Sequence, residues 1–234
     1  MKDVIIVGGG ASLKEGIEKD LWSQIKHKEI WSLNSAFKCM PYLPQKEFFV
    51  DVSFFKHEID NLQSLYNQKV HIISREHFRL KGLQHQIEQW ESSREHQRYF
   101  GKEALNHKVI YYGKMGLCGL FALSYAIATN YNIIYLLGFD FGSSSLTDKN
   151  THWYQNEIQL KNIKSSGVGR PEVYFNHKTG KLTPFVEDFK YAAKEENVKI
   201  YNVSLNSNIP YYEKISYNQF FELVKGVEHE FICN

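Results

Sequence analysis

Four consecutive apolar residues, Val4, Ile5, Ile6 and Val7, run directly into Gly8-Gly9-Gly10, and Ser12-Leu13-Lys14-Glu15 follows at once. A run so short, apolar and β-branched reads as a buried strand. The S-x-x-E pattern reads as a capping box opening a helix. A buried first strand that turns straight into a helix needs parallel neighbours on both sides and helices over both faces. Further strands are expected at 29–33, 46–52, 69–73, 109–112, 132–137 and 198–203. Helices are expected from Ser12, between the third and fourth strands up to about Tyr66, and over 117–130, 183–197 and 217–225. The helix at 117–130 is apolar nearly all round and should be covered on both sides. This alternation predicts an α/β fold with a doubly wound, mostly parallel, Rossmann-like sheet. Residues 1–234 are read as a single nucleotide-binding domain. Two polar stretches, 75–108 and 143–180, are read as a helical or loop lid or as insertions. Residues 76–107 are expected to form exposed helices that offer a subunit contact in a homo-oligomer. In the second stretch Trp153, Tyr154, Tyr174 and Phe175 argue for an ordered loop facing a ligand.

The formal charge is +2, with both signs mixed along the chain and no basic tail. Strong non-specific nucleic-acid binding is therefore not expected. Cys39, Cys118 and Cys233 are far apart and form no C-x-x-C pair, which argues against a zinc ribbon or a redox motif. No apolar segment reaches the length of a transmembrane helix. The expected location is the cytoplasm, at most peripheral to the inner face of a membrane.

Ligands of doubly wound sheets bind beyond the C-terminal strand ends, where the strand order reverses. Those ends carry Gly8, Gly9 and Gly10, then Asn34, Asp51, Gly113 and Asp140. Glycine allows a tight turn and a close backbone approach to phosphate. The amides of Ala11 to Lys14, at a helix start, are expected to favour an anion, and the Ser12 hydroxyl to cap the helix or reach the phosphate. A dinucleotide fingerprint would need glycine where Leu13 stands and an acid where Asn34 stands. No G-K-[ST] follows the glycines, so a P-loop kinase is excluded.

The segments VIIVGGGASLKEG, the polar Asn34, GLCGLFALSYAIATNYNIIYLLGFDF and VKIYNVSLNSNIP together resemble bacterial lipooligosaccharide sialyltransferases and related bacterial and phage proteins. The resemblance covers about half of the chain and leaves 55–107 unmatched. It implies a glycosyltransferase that takes a cytidine-monophosphate sugar, needs no metal or other cofactor, and inverts the anomeric carbon. It implies a histidine general base, carried over to His177, with His152 as rival. Tyr154 would assist from the loop, and Arg170, Lys178 and Lys181 would neutralise the departing phosphate. Gly8, Gly9, Gly10, Ser12, Asn34, Asp51, Cys118, Gly119, Asp140 and Arg170 are the expected nucleotide and donor contacts. The acceptor would be a glycan or another hydroxyl. Where the family has hydroxyl residues before its buried helix, this chain has Leu117 and Cys118; where the family has a tyrosine after its central strand, it has Gly142.

Two other functions fit the residues. One is a pterin-type diphosphokinase using ATP, with magnesium held by Asp51, Asp140 and Asp148. The other is a nucleotide-binding module without catalysis, which the residues at Leu117, Cys118 and Gly142 favour.

Overall fold

In the computed structural model, the described residues are 2–75, 87–93, 102–113, 116–141, 175–176, 181–182, 184–195 and 197–229. The elements, in chain order, begin with β1 (Asp3–Val7), α1 (Leu13–Glu18), α2 (Leu21–Ile25) and β2 (Ile30–Leu33). A 3-10 stretch (Asn34–Cys39), β3 (Lys46–Phe49), α3 (Val52–Asn67), β4 (His71–Arg75) and β5 (Ile87–Ser93) follow. Then come α4 (Lys102–His107), β6 (Val109–Tyr111), α5 (Cys118–Ala128) and β7 (Ile133–Leu137). The chain continues through β8 (Phe175–Asn176), β9 (Lys181–Leu182), α6 (Pro184–Glu187) and a 3-10 stretch (Asp188–Lys194). It ends with β10 (Lys199–Asn202), β11 (Glu213–Lys214) and α7 (Tyr217–His229).

Nine strands form one all-parallel sheet in the order β11-β10-β7-β1-β2-β3-β4-β5-β6. The expected Rossmann-like α/β architecture is present. Strands β1 to β6 step outward in one direction, and β7 then returns to the other side of β1. The reversal of strand order therefore lies between β1 and β7, where Asp3 to Val7 pair with Ile133 to Leu137.

Alternation along each strand splits the core into two layers. Val4, Ile6, Trp31, Phe48, Ile134 and Leu136 face α5 and the 3-10 stretch at 188–194. Ile5, Val7, Ile30, Tyr135, Leu137 and Tyr201 face Leu13 of α1, Leu21 and Ile25 of α2, and Phe220 and Val224 of α7. Phe49 and Ile72 face α3 through Phe55, Leu62 and Leu65. Almost every residue of α5 is buried, as its lack of a polar face predicts.

Two expectations need correction. Residues 87–93 are a sheet strand, not an exposed helix: β5 pairs with β4 and β6, burying Ile87 and Trp90 while its other side chains stay at least partly accessible. That polar content disguised it. The capping box also does not form. Ser12 is helical (φ −58°), its side chain makes no capping bond, and Glu15 pairs with Lys19 at 3.0 Å instead.

A half-buried polar knot closes the opposite, N-terminal edge of the sheet. The Glu29 carboxylate accepts from Lys46 Nζ (2.6 Å), Tyr131 Oη (2.6 Å) and Trp31 Nε1 (2.8 Å). Burial pushes the Glu29 pKa up, but these three donors and the Lys46 charge outweigh it, so it ends below the ordinary value. A carboxyl with a lowered native pKa stabilises the fold above its unfolded pKa, and that contribution disappears as pH falls through the native pKa. Glu29→Gln should therefore cost about 1–3 kcal/mol at pH 7. The deficit relative to wild type should shrink in acid, read by urea unfolding between pH 7 and pH 3.

Candidate functional site

The crevice beyond β1 and β7 is built by main-chain bonds that carry the sheet past its last paired residues. Gly8 N donates to Leu137 O (2.8 Å) and Gly10 N to Gly138 O (2.8 Å). Ser12 N then donates to the Asp140 carboxylate (2.7 Å). This contact leaves no room for a Cβ at Gly8 or Gly10. A Cβ on Gly10 would sit 2.6 Å from Gly138 O and 2.5 Å from Asp140 Oδ2, and one on Gly8 would lie 2.9 Å from Gly138 O. Gly138 adopts φ +69°, where L side chains are strained. The Phe139 ring fills the gap between Gly8 and Gly119, and a Cβ on Gly119 would meet its Cε1 at 2.7 Å.

These contacts take up amides that were expected to favour an anion. Of the amides from Ala11 to Lys14, that of Ser12 is held by Asp140, that of Leu13 by Gly10 O (3.2 Å) and that of Lys14 by Ala11 O (3.1 Å). A carboxylate of the protein itself thus stands at the start of α1. The glycines at 8, 10 and 119 serve close packing of loop against loop and ring.

The turn that carries Asp140 is itself held from the side by the segment after β10. Ser207 Oγ (2.7 Å) and Asn202 Nδ2 (3.2 Å) donate to Phe139 O. Asn208 donates to Asp140 O from its backbone (2.8 Å) and to Phe141 O from its side chain (2.9 Å). Lys214 Nζ closes the ring on Ser207 O (2.6 Å). Phe141, at φ +51°, needs such fixing. Asn202, Ser207 and Asn208 were not singled out by sequence. The Asn- and Ser-rich run after the last long strand was the available signal.

These strand ends also hold a set of buried polar side-chain atoms without protein partners. Ser12 Oγ, Asn34 Oδ1 and Asp140 Oδ1 are buried and make no hydrogen bond. They stand at the ends of β1, β2 and β7, which are adjacent in the sheet. Tyr217 Oη shares this state. The Tyr217 ring lies on Gly16, one turn along α1 from Ser12, and a Cβ there would be 2.6 Å from Tyr217 Cζ. Burial, then the nearby Asp140 and Glu15 charges, push the Tyr217 phenol well up, so it stays a neutral donor. Sequence reasoning missed Tyr217, because only the packing of α7 on α1 brings it here. An orphaned buried polar atom costs about 1–3 kcal/mol, and native proteins rarely gather several without water or a ligand to answer them.

Other expected residues fall out differently. Asp51 ends β3, two strands from β1. Although it is exposed, the protein around its carboxyl raises its pKa, opposed by the Arg75 charge. It stands three strands, about 14 Å, from Asp140. Among the described residues no group of three or more His, Cys, Asp or Glu is placed to hold a metal ion. Cys118 is buried, donates its thiol to Phe48 O (3.2 Å), and has its pKa pushed well up by burial and then by the Glu47 and Asp51 charges. It is a packing residue and not a nucleophile. His152, His177, Tyr154, Arg170 and Asp148 lie outside the described residues. Among the described residues no helix is long and apolar enough to cross a membrane.

No family profile matches the chain, and no curated protein does. Among solved structures the fold is similar to that of the MAf glycosyltransferase from Magnetospirillum magneticum AMB-1, with a TM-score of 0.58 and 13% identity. The similarity covers 93% of this chain and 34% of that one. The present chain thus corresponds to about a third of that protein, and at this identity the likeness is one of fold.

Gly10→Ala should cost about 1–3 kcal/mol, because neither Gly138 O nor the bonded Asp140 can yield without losing its partner. Gly226, inside α7, has nothing within 4 Å of an added Cβ. Gly226→Ala should stabilise by about 0.5–1 kcal/mol. Thermal unfolding of the pair checks both signs.

Proposed function

We propose that this chain is a glycosyltransferase-like enzyme that takes a nucleotide-activated sugar, a cytidine-monophosphate sugar in the first instance, and transfers it to an acceptor hydroxyl. The observation that carries this reading is the group of unpartnered polar atoms, Ser12 Oγ, Asn34 Oδ1 and Asp140 Oδ1, at the reversal of strand order. Doubly wound sheets take their nucleotides at that position. The fold likeness to a glycosyltransferase supports it, as does the sequence resemblance to lipooligosaccharide sialyltransferases.

On this reading Asn34 and the backbone of the Gly8-Gly10 loop meet the nucleotide. Asp140 spends one carboxylate oxygen on Ser12 N and keeps the other for a donor hydroxyl. The acceptor oxygen attacks the anomeric carbon on the face opposite the leaving nucleotide, and the configuration inverts. His177 or His152 takes the acceptor proton; an imidazole suits this because its ordinary pKa of about 6.5 lies near working pH. Arg170, Lys178 and Lys181 offset the charge of the departing phosphate, and no metal takes part.

A second reading has one specific observation behind it. The turn leading into α5 carries Leu117 and a thiol committed to Phe48 O, so it lacks the hydroxyl donors that the sialyltransferase resemblance implies. That favours a nucleotide-binding module without turnover.

A thermal-shift series with cytidine, uridine, adenosine and guanosine nucleotides and their sugar conjugates tests the proposal. Cytidine monophosphate and its sugar conjugate should raise Tm selectively, and Asn34→Ala should weaken that binding about tenfold. His177→Ala or His152→Ala should abolish donor turnover with binding retained. Binding with no turnover in wild type identifies the module, and no response to any nucleotide rejects both readings.

A further inference from the structure

Three side chains around α1 each hold a polar atom that is buried and makes no hydrogen bond: Ser12 Oγ, Asp140 Oδ1 and Tyr217 Oη. Contacts link the three residues along one face of the helix. Asp140 Oδ2 accepts from Ser12 N at 2.7 Å. Ser12 is itself helical (φ −58°), so Gly16, four residues on, shares its face about 6 Å along the axis. The Tyr217 ring covers Gly16: a Cβ there would be 2.6 Å from Cζ, the carbon that bears the hydroxyl. The Asp140 charge acts on that hydroxyl more strongly than the Glu15 charge of α1 itself. Tyr217 is only 1% exposed and Asp140 9%, so bulk water does not answer these atoms.

The three atoms differ in what they require. Asp140 Oδ1 only accepts, whereas the Ser12 and Tyr217 hydroxyls can each donate. One guest hydroxyl answers all three: its proton goes to Asp140 Oδ1, and its two lone pairs take the protons of Ser12 and Tyr217. A phosphate oxygen only accepts, so it leaves Asp140 Oδ1 unanswered and brings a second negative charge beside it. Among the described residues no cation bonds either oxygen of Asp140. Lys19 of α1 is held by Glu15 (3.0 Å) and Asn218 (3.2 Å), and Lys214 by Ser207 O (2.6 Å). We propose that Ser12 Oγ, Asp140 Oδ1 and Tyr217 Oη form a subsite for one neutral hydroxyl group, that of a water in the free protein and of a sugar in the bound one, from which phosphate is excluded. A donor therefore turns its sugar, and not its phosphate, to this face of α1. The sugar part of this inference rests on the function proposed above; the water and the exclusion of phosphate do not.

The test uses the full chain as wild type, Ser12→Ala and Tyr217→Phe, the last of which keeps the ring on Gly16. Water-to-amide cross-relaxation in the labelled free protein should show a long-lived water at the Ser12 amide, and Tyr217→Phe should remove that signal. The sugar conjugate of cytidine monophosphate should displace the water, while cytidine monophosphate alone and inorganic phosphate leave it in place. By titration calorimetry, each variant should bind the sugar conjugate about tenfold more weakly, the scale of one neutral hydrogen bond, with the affinity for cytidine monophosphate unchanged. Variants that bind the conjugate as wild type does, or lose both ligands equally, overturn the proposal. So does a wild type without the water signal, or one whose water inorganic phosphate displaces. Should Ser12→Ala fail to fold, Tyr217→Phe decides it. A wild type that binds neither nucleotide overturns the function reading and leaves the water signal, with its loss in Tyr217→Phe, to decide the subsite.

Discussion

Three hydrogen bonds beyond the last paired residues of β1 and β7 organise this molecule: Gly8 N to Leu137 O, Gly10 N to Gly138 O, and Ser12 N to Asp140 Oδ2. They extend the central pairing into the loops, where an open doubly wound sheet would splay. They require glycine at positions 8 and 10, admit Phe139 between Gly8 and Gly119, and bring an acid to the start of α1. The first helix is only six residues long, and its opening is answered from within the protein. The resulting crevice differs from the phosphate cradle that a glycine-rich turn suggests. Backbone donors are largely spent, and the groups left over are side-chain atoms: a serine hydroxyl, an asparagine amide, one carboxylate oxygen and a phenol.

That chemistry suits a ligand rich in hydroxyls and ring heteroatoms at least as well as one dominated by phosphate. It also separates two tasks that the sequence appeared to combine. The glycines let the two loops pack together, while Ser12, Asn34, Asp140 and Tyr217 hold the buried polar atoms without partners. The segment after β10 makes the second task dependable, since Asn202, Ser207 and Asn208 fix the carbonyls of 139–141 and so fix Asp140. Hydrogen-bonded from both sides, the Asp140 turn can keep one carboxylate oxygen buried without a partner.

How much of this the sequence disclosed depends on the range of the interaction concerned. The central strands β1 and β7 are continuous apolar runs, and buried parallel strands have no other way to look. The placement of Asn34 and Asp140 just past adjacent parallel strands was legible because a strand end is a local feature. β5 was not legible: IEQWESS buries only Ile87 and Trp90, and its glutamates and glutamine read as a solvated helix. The packing role of the glycines was hidden for a different reason. A glycine turn after a strand looks the same whether the approaching backbone belongs to a ligand or to another loop, and only the 2.6 Å gap between a Gly10 Cβ and Gly138 O distinguishes them. Tyr217 and Asn208 reach the site through packing of the chain's last quarter against α1 and the turn after β7, which no short window contains.

The central claim is that the gap between the ends of β1, β2 and β7 receives the nucleotide. Its most direct measurement is a backbone amide titration of the labelled protein with cytidine monophosphate, followed residue by residue. The account predicts that the largest shifts fall on Gly9, Ala11, Asn34, Ser35 and Asp140, with the N-terminal edge around Glu29 and Lys46 unmoved. Saturable shifts that cluster elsewhere on the molecule and leave these residues still would contradict it.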